Sequence, residues 1–236
     1  MTDTSSTLRI VWVYPDLLST YGDQGNALVL RRRAEQRGVC TEIVHVNSSD
    51  RVPREGDIYL LGGGEDRPQV LAAHRLRACG GLLRAAEDGA VVLAVCAGYQ
   101  IVGESFGDDE ANPLPGVGLL DIRSGRGQHR AVGEVVADAA PALGVGQLTG
   151  FENHQGRTAL GPGVAPLAET RVGVGNGDGT EGCFRGRVIG SYLHGPILPR
   201  NPALADVLLG WAMGDLPPLP PSWSERLHEE RLAAAG

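Results

Sequence analysis

The 236 residues carry 28 acidic against 21 basic side chains, a net charge of -7, and 42% of them are apolar. That is enough for a sizeable core in one large α/β domain or two small ones, and the acidic balance argues against non-specific nucleic-acid binding. No apolar run approaches the ~18–20 residues of a membrane span, and the four cysteines, scattered without a Cys-x-x-Cys pair, argue against a disulfide framework or a zinc site and for a reducing cytoplasm.

Met1 to Thr7 is short, polar and without Lys or Arg. It predicts a disordered N-terminus rather than a signal peptide. Leu8 to Val13 predicts a first strand, followed by a loop through Tyr21-Gly22-Asp23-Gln24-Gly25-Asn26. A helix is expected over Ala27–Arg37, stopped by Gly38. Within it Arg31-Arg32-Arg33 is the only basic cluster, expected as a solvated face. Strands are expected at Cys40–Val46 and Asp57–Leu61. Gly62-Gly63-Gly64-Glu65-Asp66 then turns into a helix with Pro68 at its first position, running to about Asp88 and bending at Gly80-Gly81.

Ala90 to Val95 is an unbroken apolar run, as in a strand buried on both faces of a parallel sheet. It stops at Cys96-Ala97-Gly98, and a helical pattern follows. Strands alternating with helices predict βαβ units and a parallel sheet with helices on both faces. Ligands bind such sheets at the carboxyl ends of the strands, where the loops at Tyr21–Asn26, Gly62–Gly64 and Cys96–Gly98 all lie.

Beyond Pro113 the pattern turns β-rich, with short pieces at Val117–Ile122, Ala131–Ala137, Gly144–Phe151, Val164–Arg171, Gly182–Phe184 and Arg187–Leu193. No linker-like stretch divides the halves, so residues 8–214 are expected as one domain. Asn201–Met213 predicts a helix, residues 216–221 a stiff Pro-rich connector, and Ser222-Trp223-Ser224-Glu225 a capping box opening a last short helix. The tail, residues 215–236, is a candidate for touching a partner.

A thiol on a sharp strand-to-helix turn sits beside the positive end of a new helix, which favours the thiolate and exposes the sulfur. Cys96 is therefore the candidate nucleophile, while Cys40, Cys79 and Cys183 are expected to behave as small buried apolar residues. A nucleophile of this kind needs a base. His194, where the strand ends in Gly190-Ser191-Tyr192-Leu193-His194-Gly195-Pro196, is the first candidate and His154 the second. Attack on an acyl carbon also needs pre-aimed N–H donors, and Gly63, Gly64 and Ala97 are placed to supply an oxyanion hole. Arg123, Arg126 and Arg130 each offer a guanidinium for a substrate carboxylate, with nothing in the pattern to choose among them.

Taken together these segments resemble a class I (triad-type) glutamine amidotransferase domain. The resemblance is to the branch of cobyric acid synthase and, most of all, the GatD-type glutaminase subunits of lipid II isoglutaminyl synthase. It rests on Tyr14-Pro15 with Tyr21 to Asn26, on Leu61 to Asp66, and on Leu93 to Gln100. Phe151-Glu152-Asn153-His154 with Gly156-Arg157-Thr158, Asp178 to Gly182, Gly190 to Pro196 and Pro199 to Pro202 complete it, in order, over about Leu8 to Gly214.

The resemblance implies an α/β fold of flavodoxin-like type: a mostly parallel central sheet flanked by helices, with a β-rich C-terminal layer. It implies that Cys96 attacks the side-chain amide of L-glutamine with His194 as base, and that Arg130, Tyr99 and Gln100 bind substrate. Most triad amidotransferases place a glutamate two residues after the histidine; here that position is Pro196. In the resembled heterodimers a Mur-ligase-like subunit is thought to supply the acid. That subunit would hold ATP and Mg and amidate the D-glutamate of the peptidoglycan stem. This chain has no Walker-type loop and is expected to carry no cofactor and no metal. Three other readings compete: the glutaminase part of cobalamin-type amide synthesis, a cysteine hydrolase of other specificity, and a binding subunit without activity.

Overall fold

The computed structural model describes residues 7–20, 22–109 and 111–235. Tyr21, part of the N-terminal signature, and residues 1–6 of the expected disordered N-terminus lie outside them. The apolar runs set the centre of the fold. β1 (Leu8–Val13), β3 (Ile58–Leu61) and β4 (Val91–Val95) are buried almost residue for residue. They pair in parallel with one another and with β2 (Thr41–Val46) on one side and β11 (Val188–Ser191) on the other. A strand buried on both faces cannot alternate polar and apolar residues, which is why these segments are apolar throughout apart from Arg9, which is exposed.

The sheet continues without interruption into the β-rich half. β10 (Thr180–Arg185), β9 (Ala165–Val172) and β7 (Ile122–Ala139) follow β11 antiparallel, then come the short β5 (Ser105–Phe106) and β6 (Leu114–Pro115), with β8 (Gln147–Leu160) paired on β7. The expected architecture, a mostly parallel central sheet with helices and a β-rich C-terminal layer, is the one observed.

Several boundaries differ for physical reasons. The expected bent helix is two helices, α2 (Asp66–Cys79) and α3 (Gly81–Glu87), because Gly80 adopts φ 63° and ends the first. The strand expected at Val117–Ile122 is instead a loop up to Asp121, held by Val117 N–H donating to the Ile101 carbonyl and Leu119 N–H to that of Val102, each at 2.8 Å. The strands expected at Ala131–Ala137 and Gly144–Phe151 fall in two much longer strands that pair along their length, with an irregularity between Arg126 and Ala131, although Gly144 to Gly146 precede the second strand, which starts at Gln147. Cys40 is exposed, Cys79 half-buried and Cys183 buried, so only the last is fully in the core.

The basic cluster is not simply a solvated face. In α1 (Gln24–Glu35) Arg31 and Arg32 are exposed, but Arg33 is buried and bonds Asp206 through Nε and Nη2, each at 2.7 Å, and Glu225 at 2.9 Å. Arg37 joins Asp206 at 2.9 Å and donates to the Pro217 carbonyl at 2.9 Å. This network fastens α6 (Pro202–Met213), which follows the single-turn α5 (Ile197–Arg200), together with the connector and α7 (Trp223–Ala235), to α1. The capping box forms as expected: Ser222 N–H donates to Glu225 at 2.9 Å and Ser224 N–H to the Ser222 hydroxyl at 3.1 Å. Arg33→Ala leaves Asp206 without its fork. It is expected to cost about 2–3 kcal/mol, at the low end for a broken buried pair because both acids are 30% exposed. A urea midpoint unchanged in the variant would contradict this.

Candidate active site

The chain turns sharply at Cys96, where the last residue of β4 meets α4 (Ala97–Ile101). Cys96 has φ 53° and ψ -107°, and with Tyr14 it is one of two non-glycine residues at positive φ among the described residues. Such a conformation costs about 1–3 kcal/mol and persists where the surroundings impose it. Here Cys96 N–H donates to the Ser191 carbonyl at 2.8 Å, and Gly98 N–H to the Gly62 carbonyl at 3.1 Å. Gly98 has to be glycine, since a Cβ would sit 2.8 Å from Leu61 Cβ. The elbow expected from sequence is present, but its electrostatics are the reverse of the expectation. Burial, and after it the charge of Asp23, push the Cys96 thiol up to about 12, against the lowering from the Ala97 N–H and Arg130. The resting group is a thiol, because desolvation outweighs the end of a five-residue helix.

β11 lies beside β4, and His194 follows three residues beyond its end. Its backbone is fixed by an antiparallel bridge to Phe151, with N–H to carbonyl distances of 2.8 and 3.1 Å. Burial, and then the neighbouring His154, hold the His194 imidazole down at about 4, so it is neutral and able to accept a proton. The second candidate base is engaged elsewhere. His154 Nδ1 faces the Gly156 carbonyl at 3.0 Å, Nε2 faces Glu152 at 3.4 Å, and the ring stacks on Tyr192 with centroids 3.8 Å apart. Glu152 is buried, which pushes its carboxyl up. Hydrogen bonds from His154 and from the Gly175 and Val174 N–H groups more than offset this and leave it below its usual range.

The glycine loop after β3 is tied on both sides. Gly63 N–H donates to Asp23 Oδ2 at 2.7 Å, and the Gly63 carbonyl accepts from Thr20 N–H at 3.2 Å. This corrects the expectation for Gly63, whose N–H is spent on Asp23. Gly64 and Ala97, the other two expected donors, line a cavity of about 490 Å³ together with Cys96. The same cavity is lined by Gln100 and Arg130. Arg130 Nε is held by Asn153 Oδ1 at 2.8 Å, and Gln100 by Gln69 at 2.6 Å and Tyr192 at 3.1 Å. Arg123 pairs with Glu104, away from the cavity lining. Arg126 lines the cavity but pairs with Asp108.

Tyr99, expected at the substrate, is instead fully buried. Its hydroxyl donates to Asn176 Oδ1 at 3.2 Å and its ring fills the space that Gly190 leaves open. Successive helix positions point about 100° apart, so Gln100 faces the cavity and Tyr99 the sheet. Among the described residues no group of three or more His, Cys, Asp or Glu is arranged to hold a metal ion, and no helix is long and apolar enough to cross a membrane.

Sequence reasoning did not assign Gln69, Asp23 or Glu181. Glu181 is completely buried; Oε1 accepts from the Ser191 hydroxyl at 2.5 Å and from Tyr192 N–H at 3.0 Å. Ser191 Oγ in turn accepts Leu193 N–H at 3.0 Å, which fixes the strand end that carries His194. Burial raises the Glu181 carboxyl from 4.5 to about 7. The folded state then binds the proton more tightly than the unfolded chain, so stability falls as pH rises from about 4.5 through about 7. The shift corresponds to about 3 kcal/mol at 1.36 kcal/mol per pH unit. Glu181→Gln is expected to lack this loss. Urea unfolding of both proteins at pH 5 and pH 8 checks it, and parallel pH dependences would contradict it.

A buried thiol on a strained elbow, a neutral histidine three residues past the end of the neighbouring strand and an arginine on the thiol's cavity are the kinds of group that acyl transfer through a cysteine uses. Residues 9–202 match the CobB/CobQ-like glutamine amidotransferase domain, and the chain belongs to that family. It is 37% identical over 206 residues to the lipid II isoglutaminyl synthase (glutamine-hydrolyzing) subunit GatD of Staphylococcus aureus, covering 86% of this chain and 83% of that one. To the GatD subunit of Streptococcus pneumoniae it is 34% identical, covering 87% and 80%. A probable cobyric acid synthase of Methanopyrus kandleri is 32% identical over 72% of this chain, but only 36% of that longer protein is matched. Among solved structures, the glutaminase domain of a Trypanosoma brucei CTPS with bound acivicin has TM-score 0.55 at 14% identity, over 92% and 99% of the two chains. That likeness is one of fold. The chain is thus a glutamine amidotransferase, an enzyme that hydrolyses glutamine.

Proposed function

We propose that this chain is the glutaminase subunit of a lipid II isoglutaminyl synthase, with Cys96 as nucleophile and His194 as its base. The reading is carried by the strained elbow that puts Cys96 on a cavity shared with Arg130 and Gln100. It is supported by the likeness to two GatD subunits over most of their length. Arg130 takes the α-carboxylate of L-glutamine. Sγ gives its proton to His194 and attacks the side-chain amide carbon, and the oxyanion is met by the N–H groups of Gly64 and Ala97. The C–N bond breaks as His194 returns the proton to nitrogen, leaving ammonia and a glutamyl thioester. Water then adds to the thioester with His194 as base, the C–S bond breaks, and glutamate and the thiol are restored.

The synthetase that uses the ammonia is a Mur-ligase-like subunit, which holds ATP and Mg and activates the α-carboxylate of D-glutamate in the peptidoglycan stem. Pro196 stands where the family's orienting acid is expected, and burial keeps the thiol protonated and His194 neutral. A carboxylate brought by the docked synthetase would raise the imidazole and favour transfer of the thiol proton to it. The isolated chain is therefore expected to be slow.

The test is glutamate release from glutamine by the chain alone and with the co-expressed synthetase subunit. At least a tenfold rise is expected with the partner, in glutamate release and in alkylation of Cys96 by iodoacetamide. No release in either setting would remove the glutaminase reading. Equal rates in both settings would remove the gating.

A further inference from the structure

Asp23 stands at the N-cap of α1, yet its side chain makes no capping bond to that helix. An aspartate at this position ordinarily accepts from the first turn of its own helix. Here the carboxylate reaches across 40 residues of sequence instead, and Oδ2 accepts Gly63 N–H at 2.7 Å. The residue is 3% exposed, and Oδ1 is buried without a hydrogen-bond partner among the described residues. Burying a carboxylate with one oxygen unsatisfied is costly, so the contact is retained against a penalty. The neighbouring positions make the same approach possible. A Cβ on Gly62 would meet Asp23 Oδ2 at 2.5 Å, and one on Gly25 would meet Pro196 at 2.3 Å. Asn26 Oδ1 accepts Leu198 N–H at 2.9 Å. One short segment thus grips the glycine loop on one side and the turn after His194 on the other.

We propose that Asp23 is a positioning residue of the glutaminase reaction: by tying off the Gly63 N–H it fixes the glycine loop so that Gly64 faces the oxyanion of the bound substrate. It touches no reacting atom. Its charge does reach the site, being the cause second to burial that pushes the Cys96 thiol up. Burial in turn pushes the Asp23 carboxyl up to about 6. The two effects of the residue therefore oppose each other. The hydrogen bond organises the oxyanion side, while the charge holds back the thiolate.

This inference rests on the glutaminase reading, and the experiment separates the two. Asp23→Leu and Asp23→Asn are compared with the unaltered chain, each in complex with the co-expressed synthetase subunit. Two rates are read: glutamine turnover, and alkylation of Cys96 by iodoacetamide, which needs the thiolate but no oxyanion hole. Asp23→Leu removes the acceptor and is expected to lower kcat about 100-fold with KM within about threefold. Asp23→Asn keeps an acceptor for Gly63 and is expected to stay within about threefold of the unaltered kcat. Alkylation should hold or quicken in both, since both lose the charge. The proposal is overturned if Asp23→Leu turns over glutamine normally, if alkylation falls in step with turnover, or if Asp23→Asn is as defective as Asp23→Leu. Should Asp23→Leu fail to fold, a tenfold or greater loss in Asp23→Asn alone overturns it. An unaltered complex that releases no glutamate overturns the glutaminase reading itself, and this inference with it.

Discussion

Cys96→Ala is expected to lower glutamine hydrolysis by at least about 10⁴-fold, because no other group in the cavity can form the thioester. The remaining machinery would still bind glutamine, so a loss in kcat with little change in substrate affinity is the expected pattern. The backbone makes a second, opposite prediction at the same position. Cys96 sits at φ 53° and ψ -107°, where a side chain is strained and glycine is not. Cys96→Gly is therefore expected to be as inactive as Cys96→Ala but more stable than it by about 1 kcal/mol. Steady-state kinetics with thermal or urea unfolding of both variants would check this. A Gly variant no more stable than the Ala variant would mean that the elbow holds no strain.

His194→Gln is expected to cost about 10³-fold or more in kcat, since the thiol is held near 12 by burial and has no other route to the thiolate at neutral pH. The pH profile gives an independent check. The imidazole acts only when neutral, and its folded-state value is about 4. Activity of the isolated chain should therefore be flat on the acid side down to about pH 5 and fall as pH drops through about 4. If a docked acid raises the imidazole, the acid limb of the complex lies at higher pH than that of the chain alone. Superimposed limbs would show that the synthetase does not act through His194.

Much of the site was legible because it is written as local changes of pattern. The elbow is visible where Ala90–Val95 gives way to Cys96-Ala97-Gly98, and the His194 turn where a β-like run ends in Gly195-Pro196. What the sequence does not show depends on contacts between distant segments. Asp23 lay within a recognised signature, but its role appears only where it meets Gly63, 40 residues on. Tyr99 and Gln100 look equally available in the sequence, and only the orientation of a five-residue helix sends one into the core and the other to the cavity. Arg33 looked like one of three solvated arginines until α6 and α7 packed against it.

The sequence by itself determined the parallel sheet, the order of its loops and which residues are candidates for the chemistry. Each follows from apolar periodicity and turn composition, which act over a few neighbouring residues. The tertiary structure alone decided the protonation states and the hydrogen-bond assignments of those residues. Burial raises the thiol against what the elbow's helix end would do and also lowers the imidazole, and desolvation depends on everything packed around a group rather than on the residues beside it in the chain.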